Sequence, residues 1–158
     1  MRMDQDQFSV HLDPIWRERA NFIVNASIPE EEGRYEQLWC RQVTEDTFEL
    51  CCIPFFLYDM ALGDVIRTAP QSGRQHVVSH VVEPSGRYVF RVYFEPSMLV
   101  NREDVVAGLT AMGALLEWSS DSMLAADARD AEHGQEVADF LFDQEMQGRL
   151  IYETGKQT

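Results

Sequence analysis

The stretch LCCIPFFLYDMALGDVI, from Leu50 to Ile66, is the densest apolar segment of the chain, and the rest of the sequence is arranged around it. Pro54 interrupts this stretch, and Gly63 with Asp64 closes it. Proline and a Gly-Asp pair are both typical of turns, so the pattern predicts a strand, an aromatic bend and a second strand. Such an arrangement can supply a hydrophobic core and the wall of a surface pocket together.

Strand alternation divides this stretch into a core part and a bend. Phe48, Leu50 and Cys52 fall on the core face of the first strand. We therefore expect the bend from Pro54 to Gly63 to hold two sheet regions together and to be the part that is free to bind a ligand. The pocket predicted there has aromatic walls and two carboxylates, namely Phe55, Phe56, Tyr58, Asp59 and Asp64.

Composition restricts the classes of partner. The chain has 158 residues, with 27 Asp and Glu against 13 Lys and Arg, which gives a formal net charge of -14. A field of this sign repels nucleic acid and anionic membranes and attracts basic proteins. The length is that of one domain, with a strand-rich lobe over about residues 20–82 and a helix-containing lobe over about 87–153.

The N-terminus and the cysteine content indicate a cytoplasmic protein. MRMDQDQFSV carries acids where a signal peptide has an apolar run, and the longest uncharged apolar run, Leu50 to Tyr58, is too short to cross a bilayer. Three cysteines favour reduced thiols over a disulfide framework.

Period-two patterns predict antiparallel strands in the first 95 residues. Ala20 to Ile28 is a strand with alternate apolar residues on one face, and Gly63 to Ala69 is another. A hairpin around Thr44 to Thr47 joins Glu36–Val43 to Thr47–Ile53 and places Cys40 opposite Cys51. A second hairpin around Glu83 to Gly86 joins Arg74–Val82 to Arg87–Glu95, with Val77, Val81, Tyr88, Phe90 and Val92 on one core face.

After Pro96 the period changes to that of helices. A helix is predicted from an Asn101 N-cap to about Trp118, with an apolar stripe formed by Val105, Leu109, Met112 and Leu116. A strand over Ser122–Ala128, a helix from Asp130 to about Gln147 capped by Gly148, and a strand over Arg149–Glu153 follow. The predicted fold is therefore α+β: an antiparallel sheet or small open barrel of about five strands, then a β-α-β-α-β segment with two helices packed on a sheet.

The residues around the bend resemble a known bacterial family. The matching features are Trp39, Phe48 with Leu50, the IPFF run from Ile53 to Phe56, Tyr58, and Gly63-Asp64-Val65. This pattern is similar to the family of bacterial domains of unknown function numbered 4265, and the resemblance extends over about Ile28 to Tyr152. It implies a bacterial origin and a single domain, and it implies no catalytic residues.

Candidate catalytic and metal-binding groups are few. His76 and His80 have the i, i+4 spacing of a helical metal pair, but they fall on a predicted strand, where roughly 13 Å separates them. Cys51 or Cys52 beside one of these histidines is the single arrangement that the predicted hairpins allow for a nucleophile and base. Asp59 and Asp64 are the candidate paired carboxylates, with two solvated loop acids as the alternative. The sequence contains no recognisable cofactor or metal motif, so we assign no catalytic residue, metal or cofactor.

The second predicted helix carries an acidic ridge. At 100° per residue, Glu132, Glu136, Asp139 and Asp143 fall within a sector of roughly 60°. Phe142 and Met146 border the ridge on the side away from the core stripe. The ridge is either an ordinary solvated helix face or a docking surface on which acids steer a basic partner and apolar residues anchor it.

Three functional hypotheses follow. The first is a cytoplasmic protein-binding module of the immunity or inhibitor type, whose acidic surface occludes a basic partner such as a toxin. The second is a small-ligand-binding or enzymatic module that uses the bend from Ile53 to Asp64. The third is a structural or regulatory subunit that uses the same surfaces for assembly.

Overall fold

The computed structural model describes residues 7–156. Within this range the chain forms two β-sheets and two α-helices, which confirms the α+β prediction. The first sheet contains β1 (Gln7–Ser9), β2 (Phe22–Ser27), β3 (Arg34–Gln42), β4 (Thr47–Leu50), β5 (Val65–Gln71) and β6 (Arg74–Glu83).

The first sheet closes into a small barrel. Its strand order is β1-β3-β2-β6-β5-β4, and an additional pairing of β3 with β4 joins the ends of the five strands β2 to β6. The alternating apolar residues of β2 point inward, as predicted, because Val24 and Ala26 are buried with Leu38, Phe48 and Ile66. Closure removes most of the unpaired strand edges, which stabilises a small sheet against association through its edges.

The predicted hairpin between β3 and β4 exists, but its register differs by one residue. Cys40 pairs with Leu50 rather than with Cys51. Because side chains alternate along a strand, this shift directs Cys40 into the barrel core and leaves Trp39 half-buried. The prediction that Cys40 faces Cys51 across the hairpin was therefore wrong.

The predicted hairpin around Glu83 to Gly86 was also wrong. β6 pairs with β5 and β2 in the barrel, whereas the next strand, β7 (Tyr88–Tyr93), belongs to the second sheet. The turn is therefore a crossing between lobes, where Ser85 donates its backbone N–H to Asp64 Oδ1 over 2.8 Å. The predicted common core face is split accordingly, with Val77 in the barrel and Phe90 in the second lobe.

The second lobe is a four-stranded antiparallel sheet of order β10-β7-β9-β8 with two helices. Along the chain it runs β-α-β-β-α-β, the arrangement of the split β-α-β fold. After β7 come α1 (Arg102–Ala111), β8 (Leu115–Ser120), β9 (Met123–Ala128), α2 (Ala131–Met146) and β10 (Ile151–Thr154), and 3-10 helices occupy Arg17–Arg19 and Pro96–Asn101.

The predicted helix from Asn101 to Trp118 was too long. α1 ends at Ala111, and Gly113 adopts a φ of 86°, a left-handed conformation that suits glycine and ends a helix. The chain then reverses into β8, so that Leu116 and Trp118 are strand residues. Asn101 does not cap α1 through its side chain; its amide donates to Arg149 O instead.

The predictions for the rest of this lobe are confirmed. Asp130 is the N-cap of α2, and its side chain accepts the backbone N–H of His133 over 2.8 Å. Gly148 has a φ of 72° just beyond the helix, as the predicted cap requires. Within residues 7–156, neither α-helix has the length and apolarity that crossing a bilayer demands.

The bend after β4 lies between the two lobes. Ile53, Phe55 and Leu62 pack against the second sheet at Val89 and Ala125. The bend thus joins the two sheet regions, as its sequence predicts. Most of it is buried, however, so the expectation that its whole length is free to bind a ligand was wrong; Phe56, Tyr58, Asp59 and Met60 are the residues of the segment from Pro54 to Met60 that reach the surface.

Candidate functional site

The acidic face of α2, by which we mean Glu132, Glu136, Asp139 and Asp143, is exposed along its whole length. No ion pair with a basic side chain joins any of these four carboxylates among residues 7–156. Two of them accept hydrogen bonds from neutral amides on the same helix: Asp139 from Gln135 and Asp143 from Gln147. Among residues 7–156, the acidic face is therefore a row of carboxylates with no basic side chain paired to it.

Phe142 and Met146 lie beside the acidic face and are solvent-exposed, at 55% and 70% of their surface. The opposite side of the same helix is buried through Val137 and Leu141, which belong to the core of the second lobe. α2 therefore presents charge and two large apolar side chains outward, as the helical period predicts.

A buried charge cluster that was not predicted from the sequence lies where the lobes meet. We call it the His11 cluster: His11, Glu36 on β3 and Glu117 on β8. The imidazole Nε2 lies 2.6 Å from Glu36 Oε2, and Nδ1 lies 2.7 Å from Glu117 Oε1. All three residues are buried.

The geometry defines the protonation state of His11. An ionised carboxylate can only accept hydrogen bonds, so both ring nitrogens that face carboxylate oxygens carry protons, and His11 is an imidazolium. Burial lowers the pKa of His11, but the hydrogen bonds to Glu117 and Glu36 and the neighbouring Cys52 sulfur outweigh it, so that the pKa of His11 lies above its ordinary value. The ring also stacks on Phe55 with a centroid distance of 3.9 Å.

The His11 cluster positions the bend. Glu36 accepts the backbone N–H groups of Phe55 and Phe56 at 2.7 and 2.9 Å, and Glu117 accepts that of Ile53 at 2.6 Å. These bonds satisfy backbone donors that have no strand partner, so the aromatic bend has a defined conformation without regular secondary structure. The role of the cluster is therefore structural, because its three side chains have no access to solvent.

Asp59 and Asp64, the predicted paired carboxylates, both line a cleft of about 260 Å³ with Lys156. Asp64 is only 5% exposed, and its two oxygens accept the backbone N–H groups of Ala61 and Ser85. Burial raises its pKa, and these hydrogen bonds oppose the rise. This geometry is that of a carboxylate that holds two turns together.

The aromatic part of the predicted pocket forms a second cleft, of about 150 Å³, which we call the Arg91 cleft. Phe55, Phe56 and Tyr58 line it, as predicted, together with Tyr93 and Arg91, which sequence reasoning missed. Arg91 was missed because an arginine within the apolar strand YVFRVY reads as a solvent-facing residue. In the structure it is 1% exposed.

The predicted pairing of a cysteine with His76 or His80 is wrong. His80 is exposed and bonded to Ser79, and His76 lies edge-on to the rings of Phe22 and Phe48. The histidine next to Cys52 is His11, and burial raises the pKa of the Cys52 thiol, which disfavours the reactive thiolate. Across residues 7–156 no three His, Cys, Asp or Glu side chains are arranged to hold a metal ion.

The chain is thus a small α+β protein with two lobes. A closed barrel forms one lobe, a split β-α-β sheet forms the other, and the His11 cluster lies between them. A solved structure shares this fold: a hypothetical protein from Neisseria gonorrhoeae, with a TM-score of 0.69 over 85% of this chain and 93% of that chain at 15% identity. The family model described as "Domain of unknown function (DUF4265)" matches residues 36–152, and the chain belongs to this family. No curated protein matches the chain.

Proposed function

We propose that the chain is a protein-binding module whose acidic face on α2 docks a basic protein. The observation that supports the proposal is the exposure of four carboxylates without counterions beside Phe142 and Met146. Like charges at i, i+4 destabilise a helix by about 0.2–0.5 kcal/mol per pair, and a basic partner would reverse that repulsion. The more specific form of the proposal is an immunity or inhibitor protein that occludes a basic toxin.

The carboxylates and the apolar side chains of this surface would contribute to binding in different ways. The carboxylates would steer the encounter, an effect that weakens once the Debye length falls to about 10 Å at 0.1 M salt. Phe142 and Met146 would slow dissociation, since buried apolar anchors contribute most of the affinity at protein interfaces. The net charge of -14 strengthens the same attraction at long range.

The test replaces three acids with lysine: Glu136→Lys, Asp139→Lys and Asp143→Lys in one variant. The matched control makes the same charge change at three exposed acids elsewhere, Glu32→Lys, Glu45→Lys and Glu103→Lys. Circular dichroism checks that both variants fold.

Each protein is then immobilised, and proteins captured from a bacterial lysate are identified and quantified at two salt concentrations. We expect the wild type and the control to capture the same basic protein, more strongly at low salt, and the α2 variant to lose it. Equal loss in both variants would mean that net charge alone accounts for capture, and equal retention would mean that α2 is not the surface; either result overturns the proposal.

A further inference from the structure

Arg91 is a buried cation with too few partners. Its Nη2 donates to the carbonyl of Leu57, while Nε and Nη1 have no hydrogen-bond acceptor within residues 7–156. An unsatisfied buried donor is destabilising, by about 1–3 kcal/mol and more for a charged group. Buried polar atoms without partners are uncommon in folded proteins, and each one calls for an explanation such as a functional role or a bound group that supplies the missing acceptor.

The nearest carboxylate is already engaged. Glu153 lies opposite Arg91 in the pairing of β10 with β7, yet its Oε2 remains 4.0 Å from Nη1. Its oxygens accept instead from the hydroxyl groups of Tyr58, at 2.8 Å, and Tyr93, at 3.2 Å. The two phenols thus hold Glu153 away from the guanidinium.

The charges around the Arg91 cleft are of both signs. Arg91, Glu30 and Glu31 line the cleft; Glu31 is paired with Arg34, whereas Glu30 acts electrostatically on the Tyr58 hydroxyl. A simple anion would meet the repulsion of Glu30 and Glu153, and a simple cation would leave Arg91 unsatisfied. A molecule with a carboxylate and an ammonium group satisfies both sides of the cleft.

The volume of the Arg91 cleft limits the size of the ligand. A cavity of about 150 Å³ holds a molecule of roughly the size of benzene, with six non-hydrogen atoms. Phe55 and Phe56 supply apolar walls for a short side chain. We propose that the Arg91 cleft binds a small α-amino acid, its carboxylate on Nε and Nη1 of Arg91 and its ammonium group facing Glu30 and Glu153.

Tyr58 controls access to this site. Its ring lies 4.9 Å from Cζ of Arg91 and covers the guanidinium, so a ligand reaches the two free nitrogens when the ring turns aside. Tyr58 belongs to the bend, which has no regular secondary structure, whereas Arg91 is fixed on a central strand. The site therefore combines an anchor on a central strand with a cover formed by a single side chain, the ring of Tyr58, and it is separate from the acidic face of α2.

The test is isothermal titration calorimetry of the full chain with L-alanine. Propionate, which lacks the ammonium group, and L-alaninamide, which lacks the carboxylate, are the comparison ligands. We expect L-alanine to bind at millimolar concentrations or below and each comparison ligand to bind at least about tenfold more weakly.

Three variants locate the site. Arg91→Met should weaken L-alanine binding about tenfold to a hundredfold, whereas Arg41→Met, at an exposed arginine, should leave it unchanged. Glu30→Gln, at an exposed position, provides a second test if Arg91→Met does not fold; it should weaken the binding of L-alanine and strengthen the binding of propionate, because it removes a carboxylate that attracts the ammonium group and repels a simple anion. The proposal is overturned if wild-type protein gives no heat with L-alanine, if L-alaninamide binds as tightly as L-alanine, or if Glu30→Gln binds L-alanine like the wild type.

Discussion

The substitution His11→Gln tests whether the His11 cluster holds the two lobes together. It removes the imidazolium and leaves Glu36 and Glu117 buried as two carboxylates without a cation between them. Glutamine offers one neutral amide in place of two charged N–H donors. The backbone bonds from Ile53, Phe55 and Phe56 then become the remaining short contacts of these carboxylates.

The expected loss of stability follows from the contacts removed. Two charge-assisted hydrogen bonds of 2.6 and 2.7 Å contribute about 1.5–3 kcal/mol each. Breaking a buried ion pair from one side destabilises proteins by about 3–5 kcal/mol, which agrees with that range. For a chain of this length the melting temperature falls by about 2–4 °C per kcal/mol, so we expect a decrease of roughly 6–20 °C.

Urea unfolding followed by tryptophan fluorescence measures this loss, since Trp16 lies against the bend. His80→Gln, at an exposed histidine, should change the free energy of unfolding by less than about 0.5 kcal/mol. Combining His11→Gln with Glu36→Gln and Glu117→Gln should recover part of the loss, because no uncompensated charge stays buried. A loss below about 1 kcal/mol in His11→Gln alone would refute the view that the imidazolium stabilises this junction.

Two further predictions concern pH and the cap of α2. Because folding raises the pKa of His11 above its ordinary value of 6.5, its contribution to stability is complete below pH 6.5 and decreases as the pH rises towards the pKa of the folded state. The free energy of unfolding, measured by urea titration between pH 6.5 and 8, should therefore fall with pH by at most about 1.4 kcal/mol per pH unit, and a flat profile would show that His11 does not retain its proton. Asp130→Ala removes the acceptor for the His133 N–H and should cost about 1 kcal/mol in thermal unfolding followed by circular dichroism. Asp130→Ser retains an acceptor and should unfold close to the wild type; an equal loss in both would mean that the cap bond is not responsible.

Local patterns predicted the elements that depend on nearest neighbours in sequence. The α2 helix was predicted from its cap at Asp130 to its end before Gly148, because capping, period and the terminating glycine all lie within one segment. The inward face of β2 was predicted for the same reason. The acidic face needed only the helical period. By contrast, the register of β3 against β4 depends on contacts across the whole barrel, and turn residues alone gave a one-residue error.

The site residues that were missed share a physical cause. Joining β6 and β7 into one hairpin placed both strands in a single sheet, so β7 was not expected to lie across the junction from the barrel. Extending α1 to Trp118 then assigned Glu117 to a helix surface, although Gly113 makes the chain reverse and turns Glu117 inward on β8. With Glu117 on the surface, His11 had no visible partner. With β7 paired to β6 instead of packed behind the bend, Arg91 had no reason to be buried. Correct placement of two turns, at Glu83 to Gly86 and at Gly113, would therefore make both the His11 cluster and the Arg91 cleft predictable from the sequence. Charged residues at the resulting sheet junction would require partners within it.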